Sequence, residues 1–130
     1  LVAITPASGF VDLTGALVIG IASGVVCFWA CQLKHKFKFD DSLDVFGVHC
    51  VGGIVGALLT GLYAVEAIGG KAGSFAQFMA QLEGVVITVI YCGVVTYVIL
   101  KVVQAVMGLR VDQQSERIGL DMAIHGERLH

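Results

Sequence analysis

The chain has 130 residues, 57% of them hydrophobic and 14% charged, with a formal net charge of −2. A soluble domain of this size needs more polar surface than that, and the lack of a basic excess removes any nucleic-acid footprint. A mean hydropathy of +0.88 places the chain among integral membrane proteins.

Residues 1–11, Leu-Val-Ala-Ile-Thr-Pro-Ala-Ser-Gly-Phe-Val, are apolar but interrupted by Thr5, Pro6 and Gly9. Proline removes a backbone donor and glycine permits a turn, so this segment reads as the end of a preceding transmembrane helix and its outer turn. It has neither the basic flank nor the apolar length of a signal peptide. The chain opens at Leu1 without methionine, and it is expected to be the C-terminal piece of a longer protein.

Residues 12–33 form the first expected span, with Asp12 as N-cap and no charge from Leu13 to Leu33. Gly20 and Gly24 make a GxxxG pair, with Ala16 one turn earlier, which predicts a close helix contact. Phe28 and Trp29 suit an aromatic belt. Cys27, Cys31 and His35 recur every fourth residue, so one face carries three soft-metal ligand types. They have no evident fourth partner, and neither a metal nor another cofactor is expected. The four cysteines (Cys27, Cys31, Cys50 and Cys92) are expected as free thiols within apolar helices.

Residues 34–42 carry Lys34, Lys36 and Lys38, which place this loop in the cytoplasm by the positive-inside rule. Residues 43–64 are the second span, with Asp41 or Ser42 as cap and Asp44 in the first turn. His49 lies seven residues beyond Ser42, about 10 Å inside the helix at 1.5 Å rise per residue. Ionisable groups at such depth usually face protein or a water path. On a regular helix Gly52, Gly53, Gly56 and Thr60 share the His49 face, so His49 is expected to point into a helix bundle rather than lipid. Val45, one turn earlier, can line the same narrow path. A neutral imidazole donates from one nitrogen and accepts at the other, which suits a small polar molecule between apolar walls.

Residues 65–75 read as an external loop. Residues 76–109 are a long third helix, which must tilt or extend past the bilayer. Residues 110–130 are a polar tail of mixed charge assigned to the cytoplasm. There is no nucleotide loop, catalytic triad or paired carboxylate set, and no enzyme is expected.

The run Asp44-Val-Phe-Gly-Val-His49-Cys-Val-Gly-Gly-Ile-Val-Gly56 resembles the tenth transmembrane helix of the ammonium transporter family. Residues 2–11 resemble the end of its eighth helix, the long third run resembles its eleventh, and Gly108-Leu-Arg-Val111, Gly119-Leu-Asp121 and His125-Gly-Glu127 resemble its cytoplasmic tail. The resemblance implies an all-α integral membrane helical bundle, here a fragment of an eleven-helix fold assembled as a homotrimer in the cell (inner) membrane. It implies conduction of ammonium/ammonia, with His49 as the second of two in-line pore histidines, Val45 narrowing the pore, and Asp44 as a structural acid at the cytoplasmic end. It further implies a regulated tail, represented by Arg110, Gly119, Asp121, His125 and Gly126, that meets a PII signalling protein. The first in-line histidine, the phenylalanine gate and the outer recruitment site have no counterpart here, and three spans cannot enclose such a pore. The 130 residues alone are therefore not expected to transport anything. The alternative is a stand-alone three-span membrane protein binding a partner subunit or a soft metal.

Overall fold

The computed structural model describes residues 1–127; residues 128–130 of the expected tail lie outside the described residues. The chain forms two compact units, Leu1–Thr88 and Val89–His130. The described residues contain no strand, only an isolated antiparallel bridge between Val11 and Ala64.

In the first unit, a 3-10 turn at Thr5–Ala7 uses Pro6 at its start, where no N–H is needed. Helix α1 (Leu13–Phe37) follows. Its extended N-cap, Asp12, accepts the Gly15 amide at 2.8 Å, so one of the orphan donors of the first turn is satisfied. The helix ends at Lys38, whose left-handed backbone (φ 54°) lets its amide reach the Lys34 carbonyl at 2.7 Å. Lys34, His35 and Lys36 occupy the last turn, where cations favour the helix dipole.

Helix α2 (Val51–Tyr63) is preceded without a break by a π-helical turn at Phe46–Cys50. The apolar helical run therefore begins at Phe46, not at residue 43. Asp44 is correspondingly not a first-turn residue: it lies ahead of the helix in the left-handed region, at φ 55°. Of the two expected caps, Asp41 supplies it, its carboxylate accepting the Val45 amide at 2.8 Å and the Phe46 amide at 2.9 Å.

The packing of α2 explains its glycines. Gly52, Gly56 and Thr60 recur every fourth residue and are buried. A Cβ on Gly56 would overlap the Ala3 carbonyl, and one on Gly61 would stand 2.8 Å from the Phe78 Cα. Backbones approach there only because no side chain intervenes. Ala3, Ala7 and Ile19 form the small core, with Ile4, Val11 and Leu59 packed on it. The close contact expected at Gly20 and Gly24 does not form among the described residues, where a Cβ at either would meet nothing within 4 Å. Helix α1 touches its neighbours through Gly15, Ile19, Cys27 and Cys31 instead, a face set by where α2 supplies its own glycines.

A short helix α3 (Glu66–Gly69) and the bonds from Val65 N–H to the Phe10 carbonyl (2.7 Å) and from Gly73 N–H to the Ala64 carbonyl (2.6 Å) tie this loop to the end of α2 and to residue 10. Ser74 opens helix α4 (Phe75–Val106), its Oγ accepting the Gln77 amide at 3.1 Å. At 32 residues α4 is about 48 Å long, against a hydrocarbon core of about 30 Å. It is apolar around its circumference and buries none of its residues within the chain. A helix hydrophobic all round needs lipid or further helices against it. Among the described residues, three helical segments (Leu13–Phe37, Phe46–Tyr63 and Phe75–Val106) are long and apolar enough to cross a membrane.

In the second unit, the Lys101 ammonium stands 5.5 Å from the Tyr97 ring centroid, within cation–π range. Beyond α4 come helix α5 (Gln113–Ile118) and a second π turn at Asp121–His125.

Candidate functional site

The candidate site is the π turn that carries His49. A π turn widens the backbone ring by one residue, is rarely adopted, and is frequent at functional sites. Here its inner side is Gly47. That residue is buried, and a Cβ on it would lie 2.6 Å from the Cys31 Sγ and 2.8 Å from the Cys31 backbone nitrogen. The turn thus rests directly on the α1 backbone. Cys27 supports the next residue, its thiol donating to the Val48 carbonyl at 3.9 Å.

Opposite Gly47, the turn is open. His49 is exposed on the surface of this chain. Val45, 50% exposed, lies on the same open side, four residues before it. The glycines do not divide as a regular helix predicts. Gly52, Gly56 and Thr60 are buried with the packing face, whereas a Cβ at Gly53 would meet nothing within 4 Å. The reason is angular: residues 52 and 53 are separated by about 100° around a helix and cannot both lie at the centre of one face. His49 and Gly53 belong to the open face, and the buried glycine stripe lies beside it.

The start of the turn is held by a charged clasp. The Lys34 ammonium donates to the Asp41 carbonyl at 2.9 Å and pairs with the Asp44 Oδ1 at 2.7 Å. That carboxylate oxygen is sealed from solvent, and the Lys34 side chain is 19% exposed. Phe39 crosses the loop to meet Phe46 edge to face, with ring centroids 5.7 Å apart. Asp44 and Val45 thus stand at the start of the turn, and His49 lies within it. Lys34 and Gly47 are site residues that sequence reasoning passed over, whereas Asp41 takes the capping place expected of it. The lone glycine between Phe46 and Val48 was the available signal.

Cys27 and Cys31 face the π turn and α2 and are taken up in packing, and no group of three or more His, Cys, Asp or Glu side chains converges to hold a metal among the described residues. A cleft of about 300 Å³ opens beside Val2, Gly24, Cys27, Val48 and Gly52, and His49 does not line it.

The tail residues form a separate group in the second unit. Arg110 pairs with Glu116. Asp112 caps α5, accepting the Gln114 and Ser115 amides at 3.0 Å each and the Ser115 hydroxyl at 2.7 Å. These bonds, the Ser115 amide foremost, hold its carboxyl below the usual aspartate range. Gly119 ends α5 at φ 95°, a conformation that favours glycine, and its carbonyl accepts the Ala123 amide at 2.9 Å. Asp121 and His125 bound the second π turn, and Gly126 closes it at φ 68°.

The model of the Ammonium Transporter Family matches residues 1–129. The chain is similar to the ammonium transporter of Aquifex aeolicus (strain VF5), at 49% identity over 100% of this chain and 32% of that protein. It is 39% identical to the ammonium transporter of Bacillus subtilis (strain 168), over 100% of this chain and 34% of that protein. It is 42% identical to ammonium transporter Amt1 of Archaeoglobus fulgidus, over 98% of this chain and 34% of that protein. The chain spans about a third of the length of these curated relatives.

Proposed function

The chain belongs to the ammonium transporter family, and on that premise we propose that it contributes part of a membrane pathway for ammonium/ammonia, with His49 and Val45 lining the pore. One observation carries this reading: the π turn buries Gly47 against α1 and leaves its other residues and Val45 exposed, His49 among them. An imidazole held there at a fixed backbone position offers one donor and one acceptor. Val45 beside it supplies an apolar wall that narrows the path without competing for the passing molecule's hydrogen bonds. The remaining pore walls come from helices outside these residues.

Asp44 is a structural acid in this account. It neutralises Lys34 and shapes the approach to the turn rather than attracting cations. The lysine-rich loop around Lys36 and Lys38 faces the cytoplasm of a cell (inner) membrane, by the distribution of its charge. The tail around Arg110, Gly119, Asp121, His125 and Gly126 is a cytoplasmic regulatory segment that can meet a PII signalling protein, and the complete protein is a homotrimer. These assignments rest on the family relationship.

Val45→Trp in the complete protein tests the pore placement. A bulky ring on the open side of the turn should reduce methylammonium uptake at least about tenfold while assembly stays normal, because the apolar path has no room to reroute. Wild-type uptake in an assembled Val45→Trp protein would remove this face from the pathway.

A further inference from the structure

We propose that Lys34 is a positioning residue for His49, fixing the π turn from the end of α1. This inference rests on the reading of His49 as a pore residue.

The connection runs through direct bonds. The Lys34 ammonium reaches the Asp41 carbonyl at 2.9 Å and the Asp44 Oδ1 at 2.7 Å. The Asp41 carboxylate in turn accepts the Val45 and Phe46 amides, at 2.8 and 2.9 Å. The Asp44 carbonyl accepts the Val48 amide at 2.8 Å. One ammonium therefore holds both acids whose other groups define where the turn begins. His49 follows one residue after Val48.

Two features set this clasp apart from an ordinary surface pair, which contributes little. The Lys34 side chain is largely covered, at 19% exposure, and Asp44 Oδ1 is sealed although the Asp44 side chain as a whole is 38% exposed. Removing Lys34 therefore leaves a partly covered carboxylate oxygen without its partner, at a cost that solvent reduces but does not cancel. Asp44 also sits at φ 55°, a backbone conformation that a non-glycine residue keeps when its surroundings hold it there. The clasp thus sustains two uncommon geometries in succession, a left-handed aspartate and a π turn. Both lie between α1 and the imidazole.

The test uses the complete protein and reads two quantities, amide hydrogen exchange at Val45, Phe46 and Val48, and the preference for methylammonium over potassium. Lys34→Met should raise exchange at Val45 and Phe46 about tenfold, the factor expected for losing one charge-assisted hydrogen bond. It should also shift the preference in the same direction as His49→Ala. The double variant Lys34→Met/Asp44→Asn leaves no unpaired carboxylate at position 44, and should keep both changes because the turn is still unanchored. If Lys34→Met does not assemble, the double variant carries the same readouts. Unchanged exchange at Val45 and Phe46, or wild-type preference in the double variant, would overturn the proposal. A His49→Ala protein with wild-type preference would instead remove the pore reading, and the exchange data would still decide whether Lys34 holds the turn.

Discussion

Gly47→Ala probes how tightly the π turn is seated. Its new Cβ would lie 2.6 Å from Cys31 Sγ, about 0.8 Å inside the 3.4 Å at which ordinary contact begins, and 2.8 Å from the Cys31 nitrogen. The sulfur can swing aside, but the nitrogen belongs to the α1 backbone and cannot. Two effects oppose each other. Alanine gains about 0.5–1 kcal/mol over glycine within a helix by restricting the unfolded chain. Overpacking a tight contact costs about 1–3 kcal/mol. Because a backbone atom is involved, the cost should lie in the upper half of its range, about 2–3 kcal/mol, for a net loss of about 1–2.5 kcal/mol. The assay is denaturant unfolding of the complete protein in detergent, combined with methylammonium uptake. Cys31→Ala removes the movable part of the clash only, so the double variant should recover part of the lost stability and not all of it. A Gly47→Ala protein as stable as wild type would show that the turn does not rest on α1 as described.

Other substitutions follow from the same packing. Thr60→Val keeps the shape of a buried side chain but removes its hydroxyl bond to the Gly56 carbonyl, 2.7 Å long; unfolding should show a loss of about 1 kcal/mol. Gly56→Ala drives a Cβ into the Ala3 carbonyl, and should reduce the yield of assembled protein more than Gly47→Ala does, read by size-exclusion chromatography. In the tail, Asp112 has a lowered folded-state value, so its contribution to α5 is complete above the ordinary aspartate pKa of about 3.9 and is lost as the pH falls through the lowered value. Exchange protection of Gln114 and Ser115, corrected for intrinsic rates, should therefore hold steady from neutral pH down to that acid range and then fall, whereas Asp112→Asn should flatten the profile.

The helical membrane architecture was legible in the sequence because apolar runs of spanning length leave few alternatives. The family was legible from the motif around His49. What escaped was local. Nothing in Phe-Gly-Val-His-Cys distinguishes a π turn from an α-helix by periodicity, since five residues are too few for the two periods to separate. Counting faces at 3.6 residues per turn therefore grouped Gly53 with Gly52, although the structure puts them on different sides. Asp44 read as a first-turn acid because the helix was taken to begin at residue 43. Asp41 is one of the two caps the sequence offers, but the reach of Lys34 across seven residues to its carbonyl is a tertiary matter that no local pattern announces. Gly20 and Gly24 show the converse: a recognisable small-residue motif with no neighbour among the described residues. A motif of that kind states that a helix can approach, not which helix does.

If the His49 imidazole takes part in conduction, His49→Ala in the complete protein reconstituted into liposomes must change what passes. The measurement is methylammonium uptake together with the accompanying current and its selectivity over potassium. Normal assembly with an altered rate or selectivity is expected. Assembled His49→Ala protein with wild-type uptake, current and selectivity would contradict it.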